Sequence, residues 1–306
     1  MKKFFLLLLI SLMAATLSAK ELKVLMIGNS FSNSVKILFP KVVESGKKHT
    51  LILGSASIGG CTLQKHCANI DEEKKDPNYK KYRFTCTGIK ESKQESMTYA
   101  LKYKKWDIVT IQQASAHSFK KEMTREYAAK LIARIRELAP QAEIVIQQTW
   151  AWRTDFPTLR KSGGKLTQEI MYKGLVENYN EVAKTHKLRI IPVGTAVQLF
   201  REKLPVKPVQ YTQAQIDALK EPAVLDLCGG DVVGWMRWMP DKKTKKKAPY
   251  NDAAHMNAKG NFLQACVWYM TLFDEPVTGI KYTIKDKKAM ELILKCADEA
   301  VKQYKK

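Results

Sequence analysis

The stretch VLMIGNSFSNSV, residues 24–35, contains the end of one structural element and the start of the next. Its apolar run stops at Gly28, and apolar residues return at helical spacing from Val35. This pattern predicts a buried strand that turns directly into a helix. A serine at such a turn either caps the helix or presents its hydroxyl for chemistry, and Ser30 is open to both interpretations.

The same alternation of apolar runs and helical patterns continues along the chain. WDIVTIQQAS and AEIVIQQTWAW, residues 106–115 and 142–152, read as buried strands with an amphipathic helix between them. Strands that alternate with helices predict a parallel sheet covered on both faces. We therefore expect one α/β domain over residues 20–306, a three-layer α/β/α sandwich with a central, mostly parallel sheet of about five strands. Residues 205–250 interrupt the pattern and are expected to form a loop excursion, and residues 285–304 a C-terminal helix.

Residues 1–19 have the features of a secretory signal peptide. Lys2 and Lys3 precede an apolar stretch that ends near the small residues Ser18 and Ala19. No later segment is apolar enough to cross a bilayer. The sequence therefore predicts export to the periplasm or beyond, with no membrane span after signal cleavage.

The chain of 306 residues has a formal net charge of +22. A charge of this size can indicate a nucleic acid partner, but the predicted export and the scattered lysines argue against it. Two interpretations stay open: a solvated, lysine-rich surface, or attraction to an acidic glycan.

If the chain is exported, its cysteines are expected to lie in an oxidising compartment, where disulfides can form. Cys61, Cys67 and Cys86 lie close together in the sequence, which favours a disulfide among them. His66 makes a metal site the alternative, but the spacing fits no common zinc pattern. Cys266 lies on an apolar helix face and is expected to be a buried free thiol. We predict neither a metal nor a cofactor.

Polar residues follow several of the predicted strands, at the edge where open α/β sheets gather reactive groups. A nucleophilic serine needs a base, usually a histidine that is oriented by a carboxylate. His255 follows Asp252 by three residues, and in a helical turn this spacing puts both side chains on the same side. In the alternative interpretation Asp252 caps a turn and His255 packs.

The combination of GNSF at residues 28–31, the pair Gly59-Gly60 and DAAH at residues 252–255 resembles the SGNH (GDSL-type) hydrolase family. Phrases such as IGNSFS, SIGGCTL, VTIQQAS, QTWAW and QACVWY more closely resemble an exported bacterial branch of poorly characterised function. The resemblance implies a flavodoxin-like fold, with Ser30 as nucleophile, His255 as base and Asp252 as orienting acid. It also implies an oxyanion hole formed by the backbone N–H groups of Ser30 and Gly60 and one side-chain amide.

Two positions depart from the family pattern. Asn29 replaces the usual aspartate, and the stretch Ala114–His117 lacks the asparagine of the third sequence block. Gln113 is expected to supply the missing amide, with Gln112 in reserve, since neighbouring strand residues face opposite sides of a sheet.

Four residues are candidates for contact with substrate: Gln112, Trp150, Trp152 and Arg153. The tryptophans, with Trp235 and Trp238, form either a sugar-stacking surface or part of the core, and Arg153 either pairs with an acidic substrate or lies on the surface. The sequence predicts an exported serine esterase that removes acyl groups, such as acetyl, from a carbohydrate through an acyl-enzyme. The alternative is a glycan-binding protein on an inactive SGNH scaffold.

Overall fold

The computed structural model describes residues 19–204, 211–225, 228–241 and 244–305. The predicted signal peptide, apart from Ala19, and residues 205–210 of the predicted loop lie outside the described residues. Within the described ranges the chain forms nine strands: β1 (Glu21–Gly28), β2 (Thr50–Ser57), β3 (Tyr82–Cys86), β4 (Lys93–Glu95), β5 (Ile108–Ile111), β6 (Glu143–Gln147), β7 (Arg189–Ile191), β8 (Val233–Pro240) and β9 (Lys247–Met256).

The same ranges contain twelve helices, several of which are single turns. They are α1 (Ser30–Asn33), α2 (Val35–Ser45), α3 (Leu63–Lys75), α4 (Met97–Lys102), α5 (Ser115–Ser118), α6 (Lys121–Leu138), α7 (Pro157–Lys161), α8 (Gln168–His186), α9 (Val193–Glu202), α10 (Gln213–Asp217), α11 (Ala258–Phe273) and α12 (Lys287–Tyr304). The last of these lies within the predicted C-terminal helix.

Seven strands form the main sheet in the order β4-β3-β2-β1-β5-β6-β7. The strands β2, β1, β5, β6 and β7 run parallel, as predicted. The strands β3 and β4 add an antiparallel edge that the sequence analysis did not assign. The expected count of about five strands thus describes the parallel part alone. The strand β3 alternates buried residues with Arg83 and Thr85, and β4 is three polar residues long, so neither gives a continuous apolar run.

The sheet is buried on both faces, which explains why its strands read as continuous apolar runs. Val24 and Met26 pack into one core with α2, α9, α11 and α12. Leu25 and Ile27, which alternate with them along β1, pack into a second core with α3, α4, α6 and α8. Successive side chains of a strand point to opposite faces of the sheet, so β1 contributes to both cores. This alternation gives the three layers of the predicted α/β/α sandwich.

Strands β8 and β9 form a second, two-stranded antiparallel sheet, here called the hairpin. This corrects the expectation of a loop over residues 205–250. Its turn is closed by Asp241, whose Oδ1 accepts from the backbone N–H of Thr244 at 2.7 Å, and Lys245 takes a left-handed φ of 61°. The prolines and lysines of this segment hid its alternating pattern, since neither residue type favours a strand.

The helix α11 crosses the first core and is buried on all sides, with every residue from Gly260 to Phe273 withdrawn from solvent. A helix that is apolar all round belongs in the interior of a domain or in a membrane. None of the helices in the described ranges has the length and hydropathy that a membrane crossing requires.

Gly260 lies in the first turn of α11, where this helix meets the base of the hairpin. A Cβ added at Gly260 would lie 2.1 Å from the backbone oxygen of Val232. Because the backbone would have to shift, we expect Gly260→Ala to lower the free energy of unfolding by about 1–3 kcal/mol in chemical denaturation. Gly59→Ala is the matched control, since no atom lies within 4 Å of its added Cβ. Equal losses in both variants would contradict the close approach.

Candidate active site

The predicted site positions lie at one edge of the main sheet, at the carboxyl ends of the parallel strands. Ser30 follows β1, Gly60 follows β2 and Gln112 follows β5. From β1 the successive strands β2, β3 and β4 are added on one side of the sheet, whereas from β5 the strands β6 and β7 are added on the other side. Open α/β sheets bind their ligands at this reversal of strand order.

Ser30, His255 and Asp252 form a continuous hydrogen-bonded line. Oγ of Ser30 lies 2.8 Å from Nε2 of His255, although 225 residues separate them in the chain. Nδ1 of His255 lies 2.7 Å from Oδ2 of Asp252. In the neutral imidazole that this geometry suits, Nδ1 donates to the carboxylate and Nε2 accepts from the serine hydroxyl. The side chain of His255 is 40% exposed, so this end of the line is open to a ligand.

Asp252 is buried within β9, not in the helical turn that the sequence suggested. Its Oδ1 accepts from the backbone N–H groups of Ala254 and His255, each at 2.8 Å. Burial by itself would raise the pKa of this carboxyl group. The hydrogen bonds from the His255 ring and from the two backbone N–H groups outweigh burial and hold the pKa of Asp252 below its usual value. The carboxylate is therefore ionised and fixed beside the imidazole.

Asn29 holds the turn that carries Ser30. Its Oδ1 accepts from the backbone N–H of Phe31 at 3.0 Å and so caps α1. Its Nδ2 donates to the backbone oxygen of Cys61 at 2.9 Å, which ties the turn after β1 to the segment after β2. Asn29 and not Ser30 is the residue that caps the helix, so the hydroxyl of Ser30 remains available to His255.

A chain of buried amides continues from Asn29 beneath the site. Nε2 of Gln112 donates to Oδ1 of Asn29 at 2.8 Å, and Nε2 of Gln147 donates to Oε1 of Gln112. Oε1 of Gln147 accepts from Nε2 of Gln264 at 3.1 Å and from Nε1 of Trp268 at 2.6 Å, both on α11. Polar groups withdrawn from water need such partners. Gln112, a predicted substrate contact, is thus 2% exposed and supports the turn from below.

The structure also corrects the assignment of Gln113 as the oxyanion donor. Gln113 is fully buried, and its Nε2 donates to the backbone oxygen of Met123 at 2.6 Å. Its Oε1 accepts from the backbone N–H groups of Leu63 and Ala114. Gln112 and Gln113 face opposite sides at the end of β5. Both side-chain amides are hydrogen-bonded to other protein groups, and neither faces the cavity.

The two backbone donors of the predicted oxyanion hole do border the site. Ser30 and Gly60 both line the cavity in front of the triad. Within the described residues, no protein acceptor takes the backbone N–H of Ser30 or of Gly60. Gly60 has a left-handed φ of 62°, a conformation that a residue with a side chain adopts only under strain. Two backbone N–H groups are therefore available beside the hydroxyl of Ser30.

The cavity itself has a volume of about 580 Å³ and is lined on one side by aromatic residues. Trp152 and Phe156 stack there with ring centroids 4.0 Å apart. Trp152 thus lies where the sequence analysis put it, in the cavity lining, although only 3% of its surface is exposed. A volume of this size lies within the range of small-molecule binding sites.

Trp150 is core and does not reach the cavity, which corrects its assignment as a substrate contact. It is fully buried and stacks on Phe31 with ring centroids 4.0 Å apart. Phe31 in turn meets the ring of His255 edge to face at 5.4 Å. Nε1 of Trp150 donates to the backbone oxygen of Ala254 at 2.8 Å. Trp150 therefore supports the imidazole from behind.

Arg153 is likewise neither a surface residue nor a substrate contact. It is 1% exposed and pairs with Asp155 through Nε at 2.6 Å and Nη2 at 2.8 Å. Nη2 also donates to Oδ1 of Asn251 at 2.7 Å, the neighbour of Asp252. We call Arg153, Asp155 and Asn251 the Arg153 cluster. It fastens the hairpin to the segment that follows β6.

The residues of the cavity lining that the sequence analysis missed include Phe156, Tyr250 and Asn251. Tyr250 and Asn251 lie on the hairpin, which was expected to be a loop. The aromatic and apolar residues that precede DKKTKKK, at positions 232–239, could have indicated the first strand of that hairpin. Phe156 follows β6 by several residues, and nothing in its sequence context distinguishes it from a core phenylalanine.

The cysteines near the site are free thiols, which corrects the predicted disulfide among Cys61, Cys67 and Cys86. Burial raises the pKa of the Cys61 thiol to about 12. His66 is fully buried, which lowers its pKa to about 3, and its Nδ1 lies 2.9 Å from the hydroxyl of Tyr82. Cys266 is a buried free thiol, as expected. In the described residues no three His, Cys, Asp or Glu side chains are grouped for a metal ion.

The contribution of Asn29 can be tested by Asn29→Asp, which keeps both accepted hydrogen bonds but loses the donor to Cys61. We expect this variant to lower the free energy of unfolding by about 1–3 kcal/mol in chemical denaturation, since a buried carbonyl loses its partner. Asn29→Ala removes all three hydrogen bonds and should lose more. An Asp variant as stable as the wild type would show that the bond to Cys61 is dispensable.

The lowered pKa of Asp252 predicts how stability depends on pH. Its carboxylate contributes stability that is present above the pKa of an unfolded aspartate, about 3.9, and is lost as pH falls through the lower folded pKa. Asp252→Asn cannot ionise, so we expect it to be less stable than the wild type at neutral pH. The difference should narrow below about pH 4, as followed by urea unfolding over a pH series. A difference that is constant over the series would disprove this role of the carboxylate.

Comparison with known proteins gives the family of this chain. The model for a domain of unknown function, DUF4886, matches residues 23–206. No curated protein matches the chain. The crystal structure of a DUF4886 family protein from Bacteroides uniformis is similar to it, with 25% identity, a TM-score of 0.71 and coverage of 92% of this chain and 95% of that one.

The other similar structures include SGNH hydrolases and esterases. A protein named as an SGNH hydrolase from Slackia heliotrinireducens has 18% identity and a TM-score of 0.47, over 82% of this chain and 99% of that one. An acetylxylan esterase from Geobacillus stearothermophilus has 12% identity and a TM-score of 0.43, over 85% and 94% of the two chains. Because the matched residues make up more than half of the sequence, the chain belongs to the DUF4886 family.

Proposed function

We propose that this protein is an exported serine esterase that removes small acyl groups, such as acetyl, from a carbohydrate. The observation that carries the proposal is the line from Ser30 through His255 to Asp252, with contacts of 2.8 and 2.7 Å. A serine, a histidine and a buried carboxylate in this order form a nucleophile, its base and an orienting acid. The line opens onto a cavity that can hold the substrate.

The reaction begins when Oγ of Ser30 attacks the ester carbonyl and His255 Nε2 takes the hydroxyl proton. Asp252 keeps the proton of Nδ1 in place and stabilises the imidazolium that forms. His255 then gives its proton to the departing alcohol oxygen, which leaves an acyl-enzyme on Ser30. Water attacks this ester with His255 again as base, and the carboxylic acid is released as Ser30 regains its proton.

The negative charge of the tetrahedral intermediates falls on the former carbonyl oxygen. The backbone N–H groups of Ser30 and Gly60 are the donors we assign to it. One well-placed donor of this kind is worth about 10²–10³ in rate. Since the amides of Gln112 and Gln113 are engaged elsewhere, we assign no side-chain amide to the oxyanion hole.

The carbohydrate part of the proposal is supported by the cavity. Trp152, Phe156 and Tyr250 line it together with the polar residue Asn251. Aromatic faces combined with a few polar groups suit a ring that has both apolar and hydroxyl surfaces. The signal-peptide features of residues 1–19 support export, which would bring the enzyme to extracellular glycans.

A second candidate function, glycan binding without catalysis, is favoured by one observation. Gln113, the residue expected to replace the side-chain donor of the third sequence block, is turned inward and does not line the cavity. A scaffold with a weakened oxyanion hole can retain a binding role while turnover is lost.

Turnover of a short-chain p-nitrophenyl ester distinguishes the two functions. We expect Ser30→Ala and His255→Ala each to lower kcat by about 10³-fold or more, since the triad acts as a unit. Asp252→Asn should lower kcat by about 10⁴-fold at neutral pH, because the imidazole loses its orienting acceptor.

Ser32→Ala is the matched control for the nucleophile. Ser32 lies in the same helical turn, but its Oγ donates to the backbone oxygen of Asn29 at 2.8 Å and not to His255. We expect this variant to retain most of the activity. Equal turnover by the wild type and Ser30→Ala would refute the esterase and leave the binding function.

A further inference from the structure

We propose that one face of the hairpin is a subsite for an anionic sugar unit, formed by Tyr250, Trp235 and Arg237 beside the catalytic cavity. The subsite rests on the proposed function and deepens it, because it names the substrate class: an acylated oligosaccharide that carries a carboxylate or a sulfate group near the ester.

The three residues lie on the face of the hairpin that also carries Asp252. Trp235 pairs with Asp252 across the two strands, and Arg237 pairs with Tyr250. Directly paired residues and residues two apart in a strand share a face of a sheet. The strand that positions the catalytic acid therefore also presents these side chains in a row that leads away from it.

Tyr250 joins the row to the cavity. It lines the cavity beside Asn251 and Asp252, yet 48% of its surface is exposed. Its ring centroid lies 5.7 Å from that of Trp235, which is half-buried. Large aromatic rings that stay open to solvent next to a cavity offer apolar faces to a ligand that extends beyond it.

Arg237 adds a positive charge at the outer end of the row. Its guanidinium carbon lies 4.3 Å from the centroid of the Trp235 ring, and the residue is exposed. Within the described residues its polar contact is from Nε to Sδ of Met239, at 3.2 Å, and no carboxylate pairs with it. Arg153 and Arg201, by contrast, are buried against Asp155 and Asp231. A guanidinium held over a ring can still offer its terminal N–H groups to a carboxylate or sulfate.

The charge of the whole hairpin favours the same class of ligand. Residues 231–256 contain six Lys or Arg against three Asp and no Glu. Asp231 is paired with Arg201, Asp252 with His255, and Asp241 closes the turn. Lys247 is itself paired with Glu221. The positive charge opposite Tyr250 in the hairpin is that of Arg237, which attracts an anionic ligand.

Binding is tested in the Ser30→Ala protein, so that no ester is cleaved during titration calorimetry. The probes are a galacturonic acid tetramer, a sulfated galactan tetramer and neutral cellotetraose. We expect one of the two anionic tetramers to bind at least about 10-fold more tightly than cellotetraose, a difference that one desolvated charge pair can supply. Which of the two binds more tightly identifies the anionic group.

Arg237→Gln and Trp235→Ala in the same background locate the binding. We expect Arg237→Gln to weaken the anionic tetramer by about 10-fold and cellotetraose far less, whereas Trp235→Ala should weaken both. Lys184→Gln is the matched charge control, because Lys184 is exposed at the opposite edge of the sheet, near the start of β7. Equal effects of Arg237→Gln and Lys184→Gln would overturn the subsite, as would equal affinity for anionic and neutral tetramers or for a uridine tetranucleotide.

A parallel turnover assay separates the two proposals. If wild-type protein hydrolyses no ester but Ser30→Ala binds the anionic tetramer through Arg237, the esterase is wrong and the subsite stands. If wild-type protein hydrolyses p-nitrophenyl acetate but anionic and neutral tetramers bind alike, the esterase stands and the subsite is wrong.

Discussion

The buried pair of Arg153 and Asp155 docks the hairpin onto the main sheet, because both side chains are hydrogen-bonded to Asn251. Ser30 belongs to the main sheet, whereas Asp252 and His255 belong to the hairpin, and the two sheets are separate. The contact of 2.8 Å between Ser30 and His255 therefore depends on how the hairpin is docked. Arg153 docks it twice, through Asn251 and through its own backbone N–H to the oxygen of Ala253 at 2.9 Å. A buried ion pair that loses one partner costs about 3–5 kcal/mol, so this docking is held firmly.

A second buried arginine holds the base of the same hairpin. Arg201 of α9 pairs with Asp231 through Nε at 3.1 Å and donates to the backbone oxygen of Ala151 at 2.9 Å. Because Ala151 belongs to the segment that also contains Trp150 and Arg153, both arginines fasten the hairpin to one stretch after β6. The segment after β6 therefore holds the hairpin against the main sheet, although its side chains have no direct part in the proposed reaction.

The amides beneath Ser30 impose a different kind of constraint. Each buried amide must place one oxygen and one NH₂ group correctly, so the orientation of Gln112 follows from Asn29 at one end and Gln147 at the other. Such networks specify a single arrangement because a half-satisfied member is costly. The position of Ser30 is thus determined jointly by the ends of β1, β5 and β6 and by α11.

The fold could be predicted from sequence because its signals are local and repeated. Apolar strands, amphipathic helices and the resemblance of a few short motifs were sufficient for the α/β/α sandwich and for the residues that meet as Ser30, His255 and Asp252. The failures share a physical cause. Gln113, Trp150 and Arg153 were placed near the correct strand ends, but their partners, Met123, Phe31 and Asp155, are chosen by packing that a linear pattern does not encode. The hairpin was missed because prolines and a lysine-rich turn interrupt its two strands, and neither residue type favours a strand.

The pairing of the hairpin strands has a consequence for how relatives of this protein can diverge. Tyr250 and Asp252 lie two residues apart on the same strand, so a single-residue insertion between them would turn one of the two side chains to the opposite face. Changes of ligand preference on this strand are therefore restricted to substitutions. Between Tyr250 and the turn, the hairpin can lengthen or shorten without moving Asp252. In that part, relatives can differ in length as well as in residue type.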